Sequence, residues 1–391
     1  MFDPLLLALV MVSIAVGFFL GYRQHKQYHR QFQNSSLNSE YFVGLNYLLN
    51  EQTDEAIESF ISALEINSDT VETYIVLGRL FRRRGELEKA IQVHQDLLAR
   101  PSLTREQSLR VQLELAHNYI KAGLLDRGES LLEGMLKTPW SGADESVKLL
   151  LSVYEQEKEW QKAIEIIRQA QGVDTSQYNL QLAHYYCELA EMALDRHGVL
   201  AARKSLRLAF ARDRNSVRAT LILGRLECSL KNYRESIRVL KRIYQQNPVF
   251  ISESIPLLER SCEVLSSSRE LSVYLGKCLR EYSSAAVVLA SARLIARQQG
   301  EKEAGRFIAE QIVKRPSLKG LNALIDLNIE NSEGRPRQNL VLLRELMGRL
   351  LATKPVYRCN HCGFEGKALH WCCPQCHDWG KTEPIMGIEG E

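Results

Sequence analysis

Apolar residues recur with the spacing of amphipathic helices over residues 37–352, and the helices they predict are short and paired. Small and aromatic residues mark each pair, and the same order returns after about 34 residues. The first two copies are marked by Gly44, Tyr47, Ala56, Phe60 and Ala63, and by Tyr74, Leu77, Gly78, Phe81, Gly85 and Ala90. The pattern predicts a stacked array of about nine helical hairpins.

This order of residues is similar to that of the tetratricopeptide repeat (TPR), in which small residues let two helices pack closely and aromatic rings fill the space beside them. Later copies are marked by Leu115, Ala116, Tyr119, Gly123 and Gly128, by Tyr154, Trp160, Ala163 and Ala170, by Tyr186, Ala190, Ala202 and Ala209, and by Leu223, Gly224, Tyr233 and Pro248. The seventh pair, residues 251–284, keeps the helical period but has lost most of the signature. We therefore predict a mainly α fold, a TPR α-solenoid; a helical solenoid of another repeat type is the alternative.

The N-terminus carries an uncharged apolar stretch from Leu5 to Tyr22, which as a helix would span roughly 27 Å. Asp3 precedes it, and the basic residues Arg23, Lys26 and Arg30 follow it, which is the reverse of a cleaved signal peptide. We predict a transmembrane anchor over residues 1–22 and a basic juxtamembrane linker over 23–36. Because basic residues favour the cytoplasmic side, the short N-terminus should face outward and the bulk of the chain should be cytoplasmic. The alternative is a buried core helix.

Charge and motif content argue for a binding protein. Fifty Lys and Arg residues against 47 Asp and Glu leave a net charge of +3 over 391 residues, so no overall field favours nucleic acid. The chain has no phosphate-binding glycine loop, no nucleophile elbow and no metalloprotease motif. Since TPR arrays are binding surfaces, we predict that the protein is not an enzyme.

Arginines on the first helix of two hairpins are candidates for contact with a partner. In TPR proteins this helix lines the concave side, and arginine binds carboxylates through its planar fork. The candidates are Arg79, Arg82 and Arg83 in the second pair, and Arg293 and Arg297 in the eighth. They predict an acidic partner segment; the alternative is that they are solvated surface charges.

The last residues, 353–391, carry the chemistry. Cys359 and Cys362 form one CxxC pair, and Cys373 and Cys376 form another. Two such turns can close a tetrahedral four-thiolate site, which suits iron or zinc equally. Because so short a segment can bury little core, we predict a metal-dependent three-stranded domain. Its aromatic residues Tyr357, Phe364, Trp371 and Trp379 should pack around the two CxxC turns, or knuckles. Cys372 points the other way in an extended chain and is left out of the ligand set.

The CxxCG and CPxC turns resemble those of rubredoxin, an iron-bearing electron carrier, but a zinc ribbon has the same ligands. The glycine that follows the second turn in rubredoxins is His377 here, and the domain follows an anchor and a repeat array. These departures favour a structural role over electron transfer.

Several segments together resemble the lipopolysaccharide assembly protein B family of Gram-negative bacteria. They are the anchor from Leu5, YFVGLNYLLNEQTDEAIESF at 41–60, LGRLFRRRGELEKAIQVHQDLL at 77–98, HYYCELA at 184–190 and the cysteine-rich ending. The resemblance implies an inner-membrane adaptor, without catalysis of its own, that promotes degradation of the lipid A pathway deacetylase. It implies three partners: a membrane-bound AAA+ zinc metalloprotease, the deacetylase, and an inner-membrane lipopolysaccharide-signal protein. It also leads us to expect the metal domain on the last repeats.

Two other functions stay open from the sequence. One is a scaffold that collects lipopolysaccharide synthesis and transport enzymes at the inner membrane. The other is a rubredoxin-type electron carrier.

Overall fold

The computed structural model describes residues 42–66, 71–170, 172–388 and 390. The predicted anchor and linker lie outside these residues. Within the described ranges, no helix combines the length and the apolar character needed to cross a membrane. The chain divides into two compact units, one that runs to Glu159 and includes Glu165–Val173, and one that contains Trp160–Ile164 and the chain from Asp174 onward.

Unit 1 is a series of helical hairpins. Its helices are α1 (42–49), α2 (Thr53–Ile66), α3 (Val71–Arg84), α4 (Leu87–Leu98), α5 (Arg105–Lys121), α6 (Leu125–Met135), α7 (Ala143–Glu157) and the latter part of α8 (Trp160–Gln169). The small and aromatic residues of the signature meet inside the hairpins: a Cβ added at Gly44 would lie 2.9 Å from the Phe60 ring. The predicted close approach of the two helices is therefore present.

Unit 2 continues the hairpins and ends in a small β domain. Its helices are α9 (Asn179–Asp195), α10 (Val199–Arg212), α11 (Val217–Ser229), α12 (Tyr233–Leu240), α13 (Ile243–Gln246), α14 (Ile251–Val264), α15 (Ser268–Glu281), α16 (Ala285–Gln299), α17 (Glu301–Lys314), α18 (Leu318–Glu330) and α19 (Gly334–Thr353). Short 3-10 helices occupy Thr175–Tyr178 and Pro248–Phe250. The predicted mainly helical, TPR-like solenoid with a C-terminal β domain is confirmed.

In each described hairpin, the turn between the two helices contains a residue whose backbone is in the left-handed region. These residues are Glu51, Gly85, Gly123, Lys158, His197, Lys231, Ser266, Gly300 and Gly334, with φ between 52° and 96°. They recur at about the TPR repeat length of 34 residues. A left-handed residue closes a helix by turning the chain back, so the periodic turn sets the antiparallel packing of each pair.

Candidate metal centre

Three short strands form the frame of the C-terminal domain. They are β1 (Tyr357–Cys359), β2 (Glu365–Gly366) and β3 (Thr382–Pro384), and β1 lies between the other two in an antiparallel sheet. Tyr357 pairs with Gly366 on one side and with Pro384 on the other. The three-stranded sheet predicted from the cysteine spacing is confirmed.

The two cysteine turns have the same backbone geometry. The Gly363 amide donates to the Cys359 carbonyl over 2.9 Å, and the His377 amide donates to the Cys373 carbonyl over 2.9 Å. Both residues have left-handed backbones, with φ of 78° at Gly363 and 58° at His377. The second turn therefore keeps the rubredoxin-like knuckle although a histidine takes the place where glycine is favoured.

The four predicted thiols converge. The Sγ atoms of Cys359, Cys362, Cys373 and Cys376 all lie within 4.8 Å of one another. The Cys359–Cys376 distance is 3.8 Å and the Cys362–Cys373 distance is 3.6 Å. Sulfurs that bind one zinc ion tetrahedrally at about 2.3 Å stand roughly 3.8 Å apart, so the cluster has the size that a zinc or iron ion requires.

Backbone amides prepare this cluster for a cation. Burial raises the pKa of the Cys359 thiol, but the amides of Cys362 and His361 outweigh it and lower the pKa to about 7. The Asp378 amide favours the thiolate of Cys376, yet burial and the neighbouring thiols raise its pKa to about 12. Without a cation the sulfurs cannot all ionise together, and a bound dication supplies the missing charge.

Cys372 lies outside the cluster. Its Sγ is directed to the His377 carbonyl at 3.4 Å, and its backbone forms an isolated bridge with Trp379. The side chains of His361 and Asp378 link the two cysteine turns, with 2.7 Å between Nδ1 of His361 and the carboxylate of Asp378. The exclusion of Cys372 from the four-thiol set therefore agrees with the geometry.

Trp379 fixes the β domain on the repeats. It is 6% exposed and lies in a box of ring systems from unit 2. Trp160 and Tyr185 meet it edge-on at centroid distances of 5.9 and 5.7 Å, and His184 stacks on it at 5.1 Å. The Arg218 guanidinium lies 5.9 Å from the ring. Such ring and cation contacts stabilise the docked domain in addition to the burial of the large apolar surface of the tryptophan.

Trp371 makes a second contact with the helices. It stacks on Phe250 at 5.4 Å and approaches His184 at 6.0 Å. We expected both tryptophans around the knuckles and the domain on the last repeats. The aromatic contacts of the two tryptophans are instead with residues of the fourth to seventh hairpins. The tail reaches α18 through a hydrogen bond from the Leu318 amide to the Ile388 carbonyl, 2.9 Å long.

Polar contacts support the same interface. The Tyr357 hydroxyl donates to Glu253 over 2.7 Å, and the Asn247 amide donates to Glu383 over 3.1 Å. Glu253 lies on α14, in the hairpin that has lost its signature. The hairpin without the signature therefore contributes a contact to the seat of the β domain.

Arg218 was missed by the sequence analysis. Its side chain is nearly buried and binds Glu188 and Glu191 on α9 at 2.7 and 2.6 Å. Burial and Arg218 lower the pKa of the neighbouring His184 to about 3, so this imidazole is neutral. No local spacing marks either residue, because their partners lie in other hairpins and in the β domain.

Four of the five predicted partner-binding arginines form ion pairs within the array. Arg79 and Arg82 both bind Glu114 on α5, and the Arg82–Glu114 distance is 2.9 Å. Two further ion pairs join Arg293 to Glu259 at 2.9 Å and Arg297 to Glu263 at 3.2 Å. Arg83 is exposed. The structure does not bring the five arginines into one site, and their role in partner binding stays a prediction.

Comparisons with known proteins match the two parts of the chain. A family model described as the rubredoxin metal binding domain matches residues 357–384, and one described as the tetratricopeptide repeat matches residues 73–107. The chain is 32% identical over 387 residues to lipopolysaccharide assembly protein B of Escherichia coli (strain K12), with 99% of each chain covered. It is 30% identical over 394 residues to the protein of that name from Haemophilus influenzae, with 98% of this chain and 99% of the relative covered.

Proposed function

Because the chain belongs to the lipopolysaccharide assembly protein B family, we propose that it is a non-enzymatic adaptor of lipopolysaccharide assembly at the bacterial inner membrane. In this role it restrains lipopolysaccharide synthesis by presenting the lipid A pathway deacetylase to the membrane-bound AAA+ zinc metalloprotease. An inner-membrane lipopolysaccharide-signal protein meets the anchor region and adjusts this activity. The family resemblance supports these partners.

The observation that carries the adaptor proposal is the docking of the β domain on the repeats through Trp379. Its box of rings holds the domain at one place on unit 2. A domain fixed on a helical array provides a composite surface of constant shape, and preorganised surfaces bind partners at a lower entropic cost. A bound zinc or iron ion supplies folding free energy to the β domain. The metal centre thus supports a binding surface.

Tethering explains how such a protein acts without chemistry of its own. The anchor holds the adaptor in the plane of the membrane, and the repeats hold a partner beside the protease. Linking two molecules in this way makes their encounter effectively intramolecular, which can raise the apparent affinity by roughly 100-fold or more. The deacetylase is then degraded faster although no contact within the protease changes.

The half-life of the deacetylase in cells tests the proposal. We expect deletion of the adaptor to lengthen it, the wild-type chain to restore it, and Trp379→Ala to restore it poorly because the composite surface is lost. Trp379→Phe, which keeps an aromatic ring in the box, is the matched control. Metal content measured on each purified variant shows whether the β domain is still formed.

An unchanged half-life after deletion would reject the proteolytic adaptor. Affinity capture that recovered only synthesis and transport enzymes would then favour the scaffold function.

A further inference from the structure

The last helix of the array, α19, leaves much of its apolar surface uncovered. Of its twenty residues, all of them described, Met347 alone is buried. Leu342 is 58% exposed and Leu346 is 53% exposed, and Leu343 and Leu350 are also exposed. Terminal helices of repeat arrays normally carry a polar outer face, which keeps the array soluble. An exposed apolar face at this position marks an interaction surface.

The exposed leucines form one stripe along the helix. Leu342, Leu346 and Leu350 follow one another at a spacing of four, and Leu343 lies three residues before Leu346. Residues at these spacings share a helix face. Met347, four residues after Leu343, lies at the buried edge of this face, and α18 and α19 are in contact. We call Leu342, Leu343, Leu346 and Leu350 the leucine stripe.

Two arginines bracket the leucine stripe. Arg335 precedes Leu342 by seven residues and Arg349 follows it by seven, so two helical turns bring all three onto nearly the same line. In the part of the chain that the structure describes, neither arginine has an ion-pair partner, whereas Arg344 binds Asp326 on α18 at 2.7 Å. The whole helix contains four arginines and a single acidic residue, Glu345. The surface is therefore both apolar and cationic.

We propose that the leucine stripe docks on the anionic lipid surface of the membrane. The leucines enter the boundary between headgroups and acyl chains, and Arg335 and Arg349 bind lipid phosphates, as expected of a basic amphipathic helix. A second copy of α19 is a poorer occupant, because it would set arginines against arginines. The inference rests on the membrane location in the proposed function, since a tethered chain meets the bilayer at high effective concentration.

Hydrogen exchange of the full-length protein tests the inference. The protein is reconstituted with vesicles of phosphatidylcholine alone or with about 30% phosphatidylglycerol, and exchange is followed in peptides from 334–353. We expect exchange of these amides to be about tenfold slower on the anionic vesicles. Retention of the protein on the vesicles after an alkaline wash is measured separately, and it reports the anchor.

Variants separate the two kinds of contact. The double variant Leu346→Ser with Leu350→Ser should lose the protection, and Arg335→Gln with Arg349→Gln should lower it to the value on neutral vesicles. Each neutralised arginine is expected to weaken docking about fivefold. Leu200→Ser on α10 is the matched control, because Leu200 is 85% exposed and lies outside the stripe. Its protection should equal that of the wild type.

Equal exchange on both vesicles, or unchanged protection in the stripe variants, would overturn the docking of α19 on lipid. Protection that rises with the ratio of protein to lipid would also overturn it, because a second copy would then cover the stripe. Loss of the protein in the alkaline wash would reject the anchor, while protection of α19 by added anionic vesicles would still support lipid docking. The two failures are thus distinguishable.

Discussion

The imidazole of His94 occupies the space that a side chain at Gly78 would need. A Cβ built at Gly78 would lie 2.3 Å from Nε2 of His94, so this hairpin requires glycine. The Asn118 side-chain amide donates to Nδ1 of His94 over 2.9 Å, and Arg82 binds Asn118 at 2.7 Å. A polar network thus fills the place that an aromatic ring fills in the first hairpin, where Gly44 faces Phe60.

Unit 1 should lose stability in mild acid because of His94. Burial lowers the pKa of this imidazole to about 4, below its ordinary value, so only the unfolded chain takes up a proton between about pH 6.5 and pH 4. The stabilisation is complete above pH 6.5 and falls by about 2 kcal/mol at pH 5. Denaturant unfolding at several pH values measures it, and His94→Gln should flatten the profile. An equally steep profile in that variant would contradict the assignment.

His377 should store backbone strain in the second cysteine turn. Its φ of 58° is left-handed, where a histidine costs about 1 kcal/mol more than glycine. We expect His377→Gly to slow metal loss to a chelator about fivefold. Gly363→Ala, at the equivalent place in the first turn, should accelerate it because φ there is 78°. Metal release followed by a colorimetric chelator compares both, and identical rates for all three chains would refute the strain.

At the scale of elements, two features organise the chain: a periodic left-handed turn and a β domain seated on helices. The turn recurs whether the residue is glycine, as at Gly85, or lysine, as at Lys158. Tertiary packing therefore holds a turn that the side chain alone would not choose. The β domain has strands of two or three residues, so its stability must come from the metal and from the interface.

Removal of Trp379 should undock the β domain. Truncation of a buried tryptophan to alanine typically destabilises a protein by about 3–5 kcal/mol, and we expect this cost here if the surrounding rings do not move into the cavity. Trp379→Ala should then increase hydrogen exchange in α9 and α11, while Trp379→Phe should retain most protection. Unchanged exchange in α9 would show that the ring contacts do not hold the domain.

Cys373→Ser should release the metal. Three thiolates and a hydroxyl bind zinc or iron much more weakly than four thiolates do, and Cys373 is a fully buried member of the cluster. We expect substoichiometric metal by elemental analysis and loss of protection in β1 and β3. Cys372→Ser should keep one metal per chain. Full metal content in Cys373→Ser would mean that Cys372 can replace its neighbour.

For the whole molecule, we expect the N-terminal anchor to determine location, while the repeats and the β domain determine binding. Packing contacts among the described residues hold the repeats and the β domain together. The anchor is predicted to contribute position through effective concentration, not fold.

Replacement of residues 1–22 by a soluble tag should therefore leave the helical circular dichroism and the metal content unchanged. The same variant should fail to shorten the deacetylase half-life in cells, because the adaptor no longer stays beside the protease. Full activity of the soluble form would show that the anchor is not needed for the function.

The sequence by itself determined the features that depend on neighbours along the chain. Helical hairpins follow from small and aromatic residues at a fixed period, as at Gly44 and Gly78, and the metal ligands follow from two CxxC turns, as at Cys359 and Cys373. In both cases the interacting groups lie within one hairpin or one small sheet, so local spacing records the contact.

Only the tertiary structure decided which surfaces these elements share. Trp379 meets Trp160 across 219 positions of sequence, and Arg79 meets Glu114 in the next hairpin, 35 residues away. Neither contact is marked by a periodic pattern in the sequence, because each joins residues of different elements and local spacing reports only contacts within an element or a hairpin. The packing of distant elements, and not residue type, places Arg218 beside Trp379. The same packing leaves the leucine stripe of α19 uncovered.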